Sequence, residues 1–222
     1  MSNNTEYKII SSGVAPIYNN PSFSSEIINQ ALFWEELICI DVNKNWHKVK
    51  QRDGYIGWVH SFYTSDSSEY VNSSFLKETD NWYFVIKKFI DIDLDAKSIM
   101  TISFGSLIPC IFINEQFKVI MPNGKYALID KNSLVKMNEP LTINNMIHFA
   151  KSLLNTPYLW GGRSSFGFDC SGFIQLLLSI MKVYFPRDTK EQINYEKMFN
   201  ISENYKQGDI IFFSKNNILN HV

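Results

Sequence analysis

The sequence contains few cysteines and no marked excess of charge of either sign. Its three cysteines, Cys39, Cys110 and Cys170, are an odd number without CxxC spacing, which argues against a disulfide framework and against a zinc ribbon. The 21 Lys and Arg nearly cancel the 22 Asp and Glu, so the formal net charge is -1. We therefore expect no metal site, and no binding to nucleic acid or to anionic lipid through bulk charge.

Targeting and membrane signals are also missing. The N-terminus has no basic region followed by an apolar one, and the most apolar later stretch, residues 173–181, is far shorter than the roughly 18 residues that a membrane span needs. We therefore expect a cytoplasmic protein that makes no use of a membrane. Hydrophobic residues, by contrast, make up 45% of the chain and aromatic residues 15%, which is typical of a folded core and not of a disordered chain.

The order of the predicted elements divides the 222 residues into three domains. Short alternating strands predict a small all-β barrel over residues 1–66, with hairpin turns at 43–45 and at Asp53-Gly54. The Ser-rich stretch 65–73 predicts a linker, and a second set of short strands, with a turn at 122–124, predicts another barrel over residues 67–138. From Thr142 to Asn155 apolar residues recur at helical spacing, so an α-containing domain is predicted over residues 139–222.

The densest chemical signal is the run TPYLWGGRSSFGFDCSGFIQLLLSIM, residues 156–181. A glycine-containing loop leads to Asp169, which is placed to cap a helix that begins near Cys170. Unpaired backbone N–H groups and the positive end of the helix dipole favour a thiolate at such a position. Cys170 is therefore predicted as a nucleophile, with a small core residue as the alternative. Cys39 and Cys110 lie beside isoleucines in predicted strands, where a core role is expected.

A thiolate nucleophile needs a base, and the sequence has four histidines. His47 and His60 fall in the first predicted barrel, and His148 falls on an exposed helix position. His221 remains as the candidate base. Residues 208–213 before it predict a turn and a buried strand, followed by a hairpin turn at 215–217 and a new strand from His221. A cysteine on a helix facing a histidine on a sheet is the papain-type arrangement.

Several motifs together resemble the NlpC family of papain-like peptidases that cut peptidoglycan peptides. TPYLWGG, FGFDCSGF, PRDT followed by Gln192, GDIIFF and His221-Val222 stand in the family's order over about residues 142–222. The resemblance implies an α+β papain-like catalytic domain that needs no cofactor, and the two barrels before it resemble bacterial SH3-like domains. This layout is similar to the γ-D-glutamyl-L-diamino acid endopeptidases of murein recycling. It implies a cysteine endopeptidase that hydrolyses the γ-D-glutamyl–diamino acid bond of peptidoglycan-derived peptides.

The resemblance also implies roles for single residues. Cys170 matches the nucleophile, His221 matches the general base, and Tyr158 matches a tyrosine that borders the cysteine and helps to stabilise the reacting group. Four further residues match positions that hold the substrate's free N-terminal ammonium and nearby peptide groups, namely Asp169, Ser171, Asp188 and Thr189. A pair of carboxylates facing an ammonium favours short, already trimmed peptides. A helix cap for Asp169 and a turn residue for Asp188 stay open as alternatives.

The end of the sequence departs from the family pattern. That pattern continues past the His-Val pair with further strands and a third polar residue, usually His, that orients the base, whereas this sequence ends at Val222. We therefore expect a catalytic domain that is incomplete at its C-terminus and that is weakly active or inactive by itself. Two alternatives stay open: a catalytically impaired cell-wall or protein binding module, and a different papain-like activity on a lipid or a protein.

Overall fold

The computed structural model describes residues 6–66, 81–95, 98–216 and 218–222. The short strands predicted near the N-terminus form one antiparallel sheet. The strand order in this sheet is β3-β2-β6-β5-β4-β1-β7. Its strands are β1 (Glu6–Ile10), β2 (Val14–Tyr18), β3 (Ile27–Leu32), β4 (Glu36–Asn43), β5 (Trp46–Lys50), β6 (Ile56–His60) and β7 (Thr64–Asp66). Both predicted hairpin turns are confirmed: Lys44 and Gly54 take the positive φ angles, 53° and 90°, that tight hairpin turns need.

A second strand-rich region follows and consists of a five-stranded sheet and a two-stranded one. Its strands are β8 (Trp82–Val85), β9 (Phe89–Asp95), β10 (Ser98–Ser103), β11 (Leu107–Ile113), β12 (Gln116–Ile120), β13 (Tyr126–Leu128) and β14 (Leu134–Lys136). The predicted turn at 122–124 joins β12 to β13, and Gly124 has a φ of 76° there. The predicted linker 65–73 begins within β7, and its residues 67–73 lie outside the described residues.

The two strand-rich regions share a core. Phe33 and Trp34, which follow β3, are almost fully buried among residues of the second region, and the Trp34 indole N–H donates to the carbonyl of Ile120 at 2.6 Å. A buried Trp with a satisfied N–H adds both apolar area and direction to such a contact. The N-terminal sheet and the second strand-rich region are thus packed together, and the helices lie against them.

The helical part begins as the sequence predicts. Thr142 caps α1 (Ile143–Ser152) in a capping box with Asn145, and the apolar face of the helix packs on the strands. The helix ends before the predicted Asn155, whose φ of 63° is left-handed, and Leu154, one of the apolar residues at helical spacing, is 67% exposed. The remaining elements are β15 (Arg163–Ser164), β16 (Gly167–Phe168), α2 (Cys170–Ile180), α3 (Thr189–Gln192), β17 (Phe213–Lys215) and β18 (Ile218–His221).

The C-terminal strands differ from the prediction. The buried strand expected within residues 208–213 is wrong, because regular pairing starts only at Phe213, which is 53% exposed. The second strand begins at Ile218 and not at His221. Strands β17 and β18 pair only with each other among the described residues, so no sheet face covers their apolar side chains. Asn217, in the predicted hairpin turn, lies outside the described residues.

The described segments contain no helix that is long and apolar enough to cross a membrane.

Candidate active site

Cys170 lies at the first position of α2, where the sequence places it. The β15–β16 hairpin delivers the chain to Asp169, whose Oδ1 accepts a hydrogen bond of 2.7 Å from the N–H of Gly172 and so caps the helix. The body of α2 is packed in the core between α1 and the strands. The Cys170 side chain is half-buried, so the sulfur stands on a rigid, buried helix and still reaches the surface.

The carboxylate of Asp169 is fully engaged by the protein. Besides the cap, its Oδ1 accepts from the Ser171 hydroxyl at 3.2 Å and from Arg187 Nη1 at 3.0 Å, and its Oδ2 accepts from Gly161 N at 3.0 Å and from Arg187 Nη2 at 2.6 Å. Asp169 is only 8% exposed. The expectation that Asp169 offers a free carboxylate to a substrate ammonium therefore needs correction, because the Arg187 guanidinium already occupies that place.

Arg187 is the residue that the sequence analysis missed. It belongs to the PRDT motif but received no role, although it is only 2% exposed and forms the bidentate ion pair with Asp169. Its Nη1 also donates to the Ser171 hydroxyl at 2.9 Å. An aspartate predicted to lie at a buried helix start needs a cation, and this requirement is the signal that could have found Arg187.

Two other predicted residues lie beside the sulfur. The hydroxyl of Thr189, at the start of α3, is 3.8 Å from Cys170 Sγ. Tyr158 is 64% exposed on the loop before β15, where burial raises its pKa and the nearby charges of Cys170 and Asp169 add to that rise. Tyr158 is expected beside the cysteine, whereas Thr189 is expected to bind the substrate, and that role of Thr189 stays a prediction.

The carboxylate of Asp188, unlike that of Asp169, remains available to a substrate ammonium. Both of its oxygens lie 3.4 Å from the hydroxyl of Tyr55, which comes from the turn after β5. Although Asp188 is exposed overall, its carboxylate borders the N-terminal sheet, and partial burial there raises its pKa. Burial and the charge of Asp188 raise the pKa of Tyr55 to about 12, so Tyr55 stays a neutral hydrogen-bond donor. The sequence analysis did not identify Tyr55.

His221 occupies an exposed position at the end of β18. Its ring packs on Phe213 with the centroids 5.8 Å apart, and β18 lies against α3, the helix that brings Thr189 to the sulfur. No hydrogen bond joins His221 to Cys170 in the part of the chain that the structure describes. Of the other histidines, His60 accepts from the Phe62 N–H at 3.1 Å, and His148 is exposed on α1, as predicted.

The other two cysteines lie away from this site. Cys110 is 2% exposed in the core, where burial strongly raises the pKa of its thiol. Cys39 is half-buried on β4, and burial raises the pKa of its thiol as well. Among the described residues there is no group of three or more His, Cys, Asp or Glu side chains that could hold a metal ion.

Comparison with known protein families agrees with this geometry. Residues 155–222 match the sequence profile of the NlpC/P60 family, and residues 17–61 match the profile of the bacterial dipeptidyl-peptidase Sh3 domain. The chain thus contains an NlpC/P60 domain, which carries Cys170, preceded by a bacterial SH3 domain in the strand-rich N-terminal part. The family resemblance predicted from the motifs is confirmed.

Similar proteins span most of the chain. The chain is 26% identical over 210 residues to the γ-D-glutamyl-L-lysine dipeptidyl-peptidase of Bacillus cereus, covering 86% of this chain and 61% of that protein. It is 25% identical over 197 residues to the Bacillus subtilis protein of the same name, covering 85% and 64%. The chain therefore spans less than two thirds of the length of these curated relatives. The crystal structure of an NlpC/P60 family protein from Bacillus cereus has the same fold, with a TM-score of 0.82 at 23% identity over 97% of this chain and 86% of that one.

Proposed function

We propose that this protein is a cysteine peptidase that hydrolyses the γ-D-glutamyl–diamino acid bond of peptidoglycan-derived peptides. The observation that carries the proposal is the half-buried Cys170 thiol at the N-terminus of a packed helix, with the hydroxyl of Thr189 beside it. The substrate class comes from the two relatives, both named γ-D-glutamyl-L-lysine dipeptidyl-peptidase.

The proposed reaction is an acyl transfer through a thioester. His221 takes the thiol proton, and Cys170 Sγ forms a bond to the γ-carbonyl carbon of the D-glutamyl residue. The C–N bond then breaks, and the amine of the diamino acid leaves with the proton that His221 returns. Water hydrolyses the thioester and restores the thiol. The Cys170 N–H, at the first helical position, is placed to stabilise the oxyanion, and Tyr158 borders the reacting carbonyl.

Recognition of the substrate N-terminus is assigned to Asp188. Its carboxylate faces the Tyr55 hydroxyl at the border between the SH3 domain and the catalytic domain, and no ion pair to it is found among the described residues. A free ammonium group offsets the partial burial of that carboxylate, whereas an acylated amine does not. Asp169 and Ser171 keep a positioning role on the other side of the sulfur, where Arg187 holds both of them.

We also propose that residues 67–138 are a second SH3-like module, and the boundaries at 66/67 and 138/139 stay predictions. The support is the strand order β13-β12-β11-β8-β14 among the described strands. Like the first sheet, this sheet is antiparallel and is built from short strands. An experimental structure in which residues 81–136 fail to superpose on the SH3 fold would contradict this assignment.

A panel of three substrates tests the proposed function. It comprises L-alanyl-γ-D-glutamyl-L-lysine, the same peptide acetylated on the alanine amine, and a lipid ester, with products followed by mass spectrometry. We expect L-lysine and L-alanyl-γ-D-glutamate from the free peptide, much less from the acetylated one, and no product with Cys170→Ala. Binding of the free peptide without products would favour the impaired binding module, and cleavage of the ester alone would favour a different papain-like activity.

A further inference from the structure

A buried amide of the SH3 domain reaches into the catalytic domain. Asn29, on β3, is fully buried, and both ends of its side chain are bonded. Its Nδ2 donates to Gln51 Oε1 at 2.7 Å, and its Oδ1 accepts from Arg187 Nε at 2.7 Å. Because the donor and the acceptor ends have different partners, the Asn29 amide has one satisfied orientation.

Gln51 fixes that orientation from inside the SH3 domain. Its Nε2 donates to Glu35 Oε1 at 2.7 Å and to the Gln30 carbonyl at 3.3 Å, so its Oε1 is left to face Asn29. The residue is 2% exposed and closes the hairpin turn through its backbone, with the Gln51 N–H donating to the Tyr55 carbonyl at 2.9 Å. The series of hydrogen bonds that runs from Gln51 through Asn29 to Arg187 therefore fixes the orientation of each side chain in it.

Arg187 in turn touches both sides of the candidate nucleophile. Its guanidinium holds Asp169 and Ser171, the two residues that flank Cys170 at the helix start. Its own backbone leads directly to Thr189, whose hydroxyl lies 3.8 Å from Cys170 Sγ. A shift of the Arg187 guanidinium therefore changes the contacts of both residues that flank the sulfur.

We infer that Asn29 is a positioning residue for Cys170, through which the SH3 domain sets the Arg187 guanidinium and so the geometry on both sides of the thiol. Without the Asn29 acceptor, the buried Nε–H of Arg187 loses its partner, and the orientation of the guanidinium is left to its bonds with Asp169 and Ser171. The consequence for hydrolysis rests on the proposed function. The consequence for the reactivity of the thiol does not.

The test measures the rate at which iodoacetamide alkylates Cys170, followed by peptide mapping, together with kcat and KM for the free peptide. Asn29→Ser removes the amide that joins Gln51 to Arg187, replaces it with a shorter hydroxyl and leaves room for water. We expect it to alkylate Cys170 about 10-fold more slowly and to lower kcat by about 10- to 100-fold with little change in KM, because misplacement of a reacting group acts on the chemical step. Asn29→Asp keeps an acceptor for Arg187 but loses the donor to Gln51, and it is expected to recover part of the way toward the wild-type rate.

Tyr184→Phe is the matched control for a general loosening of the domain interface. The Tyr184 hydroxyl donates to the Asp53 carbonyl at 3.1 Å, so this variant also removes a hydrogen bond between the same two domains but touches neither Arg187 nor Asp169. We expect wild-type alkylation and wild-type kcat from it. Should Asn29→Ser fail to fold, Gln51→Leu, which frees the Asn29 amide without removing it, is expected to slow alkylation by a smaller factor.

Three results would overturn the inference: unchanged alkylation in folded Asn29→Ser or, in its place, in folded Gln51→Leu; equal slowing in Asn29→Asp and Asn29→Ser; or equal slowing in Tyr184→Phe. A failure of the proposed function is seen separately. In that case the wild-type protein does not cleave the peptide, while the alkylation rates still follow the expected order.

Discussion

The two sides of the candidate site are built in opposite ways. On the nucleophile side, Cys170 starts a helix that is packed in the core, and buried hydrogen bonds from Asp169, Ser171 and Arg187 surround its first turn. On the base side, His221 ends a strand of a two-stranded hairpin, is exposed, and packs its ring on a Phe213 side chain that is itself half exposed.

This difference shows which side of the site is held in place by buried contacts. The surroundings of Cys170 are fixed by buried polar groups that come from distant parts of the chain, so they are set when the domains fold. The orientation of His221 depends on a short surface hairpin, and two strands by themselves are marginally stable in water. The nucleophile side is therefore expected to govern both stability and reactivity, and the base side reactivity alone.

The largest expected effect is that of Cys170→Ala. Turnover of the free peptide should fall by at least about 10⁴-fold, because Cys170 is the one cysteine at a helix start among the described elements, whereas the midpoint of thermal unfolding should hardly change. Steady-state hydrolysis and thermal unfolding of the same preparation measure the two quantities. A large loss of stability with little loss of turnover would place Cys170 in the core and remove it from the chemistry.

Cys110→Ala is the matched control for that substitution. Cys110 is buried in the core of the strand-rich regions and does not contact Cys170, so its truncation should cost about 1 kcal/mol of stability and leave turnover unchanged. The two cysteine variants should therefore give opposite results in the two measurements.

His221→Ala should be the second largest effect, with a loss of kcat of about 10²- to 10⁴-fold, as for a general base. Because the His221 side chain is exposed and makes no hydrogen bond in the described part of the structure, the midpoint of thermal unfolding should stay within about 1 °C of wild type. An unchanged kcat would show that another group accepts the thiol proton and would reject the assignment of His221.

Arg187→Leu, unlike His221→Ala, should lower the stability of the protein. It leaves the buried carboxylate of Asp169 without its cation, and removal of one partner from a buried ion pair costs about 3–5 kcal/mol. Urea unfolding of this variant beside His221→Ala measures the contrast directly. If Arg187→Leu is as stable as His221→Ala, the nucleophile side is not organised by its buried polar groups and the comparison fails.

The nucleophile side could be predicted from the sequence where its signals are local. The glycine loop, the Asp169 cap and the apolar run after Cys170 lie within a few residues of each other, and together they predict the helix start that the structure shows. The histidine could be chosen by elimination because the chain has only four.

The residues that hold the site together could not be predicted in this way. Asn29 and Arg187 are 158 positions apart, and Tyr55 and Asp188 are 133 apart, so no periodicity or spacing connects them. A buried polar side chain in a strand resembles a solvated one until its partner is known. The buried strand was wrongly predicted at the apolar residues 210–213 because such a run is buried only where another layer of the protein covers it, and the sequence does not show whether one does.

The smallest expected effect concerns Asp188, whose carboxylate faces Tyr55 at the border between the SH3 domain and the catalytic domain. Asp188→Asn should lower kcat/KM for the free peptide by about 10-fold and leave the acetylated peptide unaffected, so that the difference between the two substrates narrows. Burial raises the pKa of this carboxyl, so its ionised form is less favourable in the folded chain than in the unfolded one. Loss of the charge at neutral pH should therefore leave the midpoint of thermal unfolding unchanged or slightly higher.

The same raised pKa gives this prediction a pH dependence. An ammonium group binds the ionised carboxylate, so the preference of the wild-type protein for the free peptide should decline as the pH falls through the raised pKa of Asp188, at a higher pH than for an ordinary aspartate. In Asp188→Asn the preference should be small at every pH. Measurement of kcat/KM for both peptides across the acidic range tests this, because changes in the base or the nucleophile affect the two peptides alike and cancel in the ratio. A ratio that stays constant with pH in the wild-type protein would remove Asp188 from ammonium recognition, while the roles of Cys170 and His221 would stand.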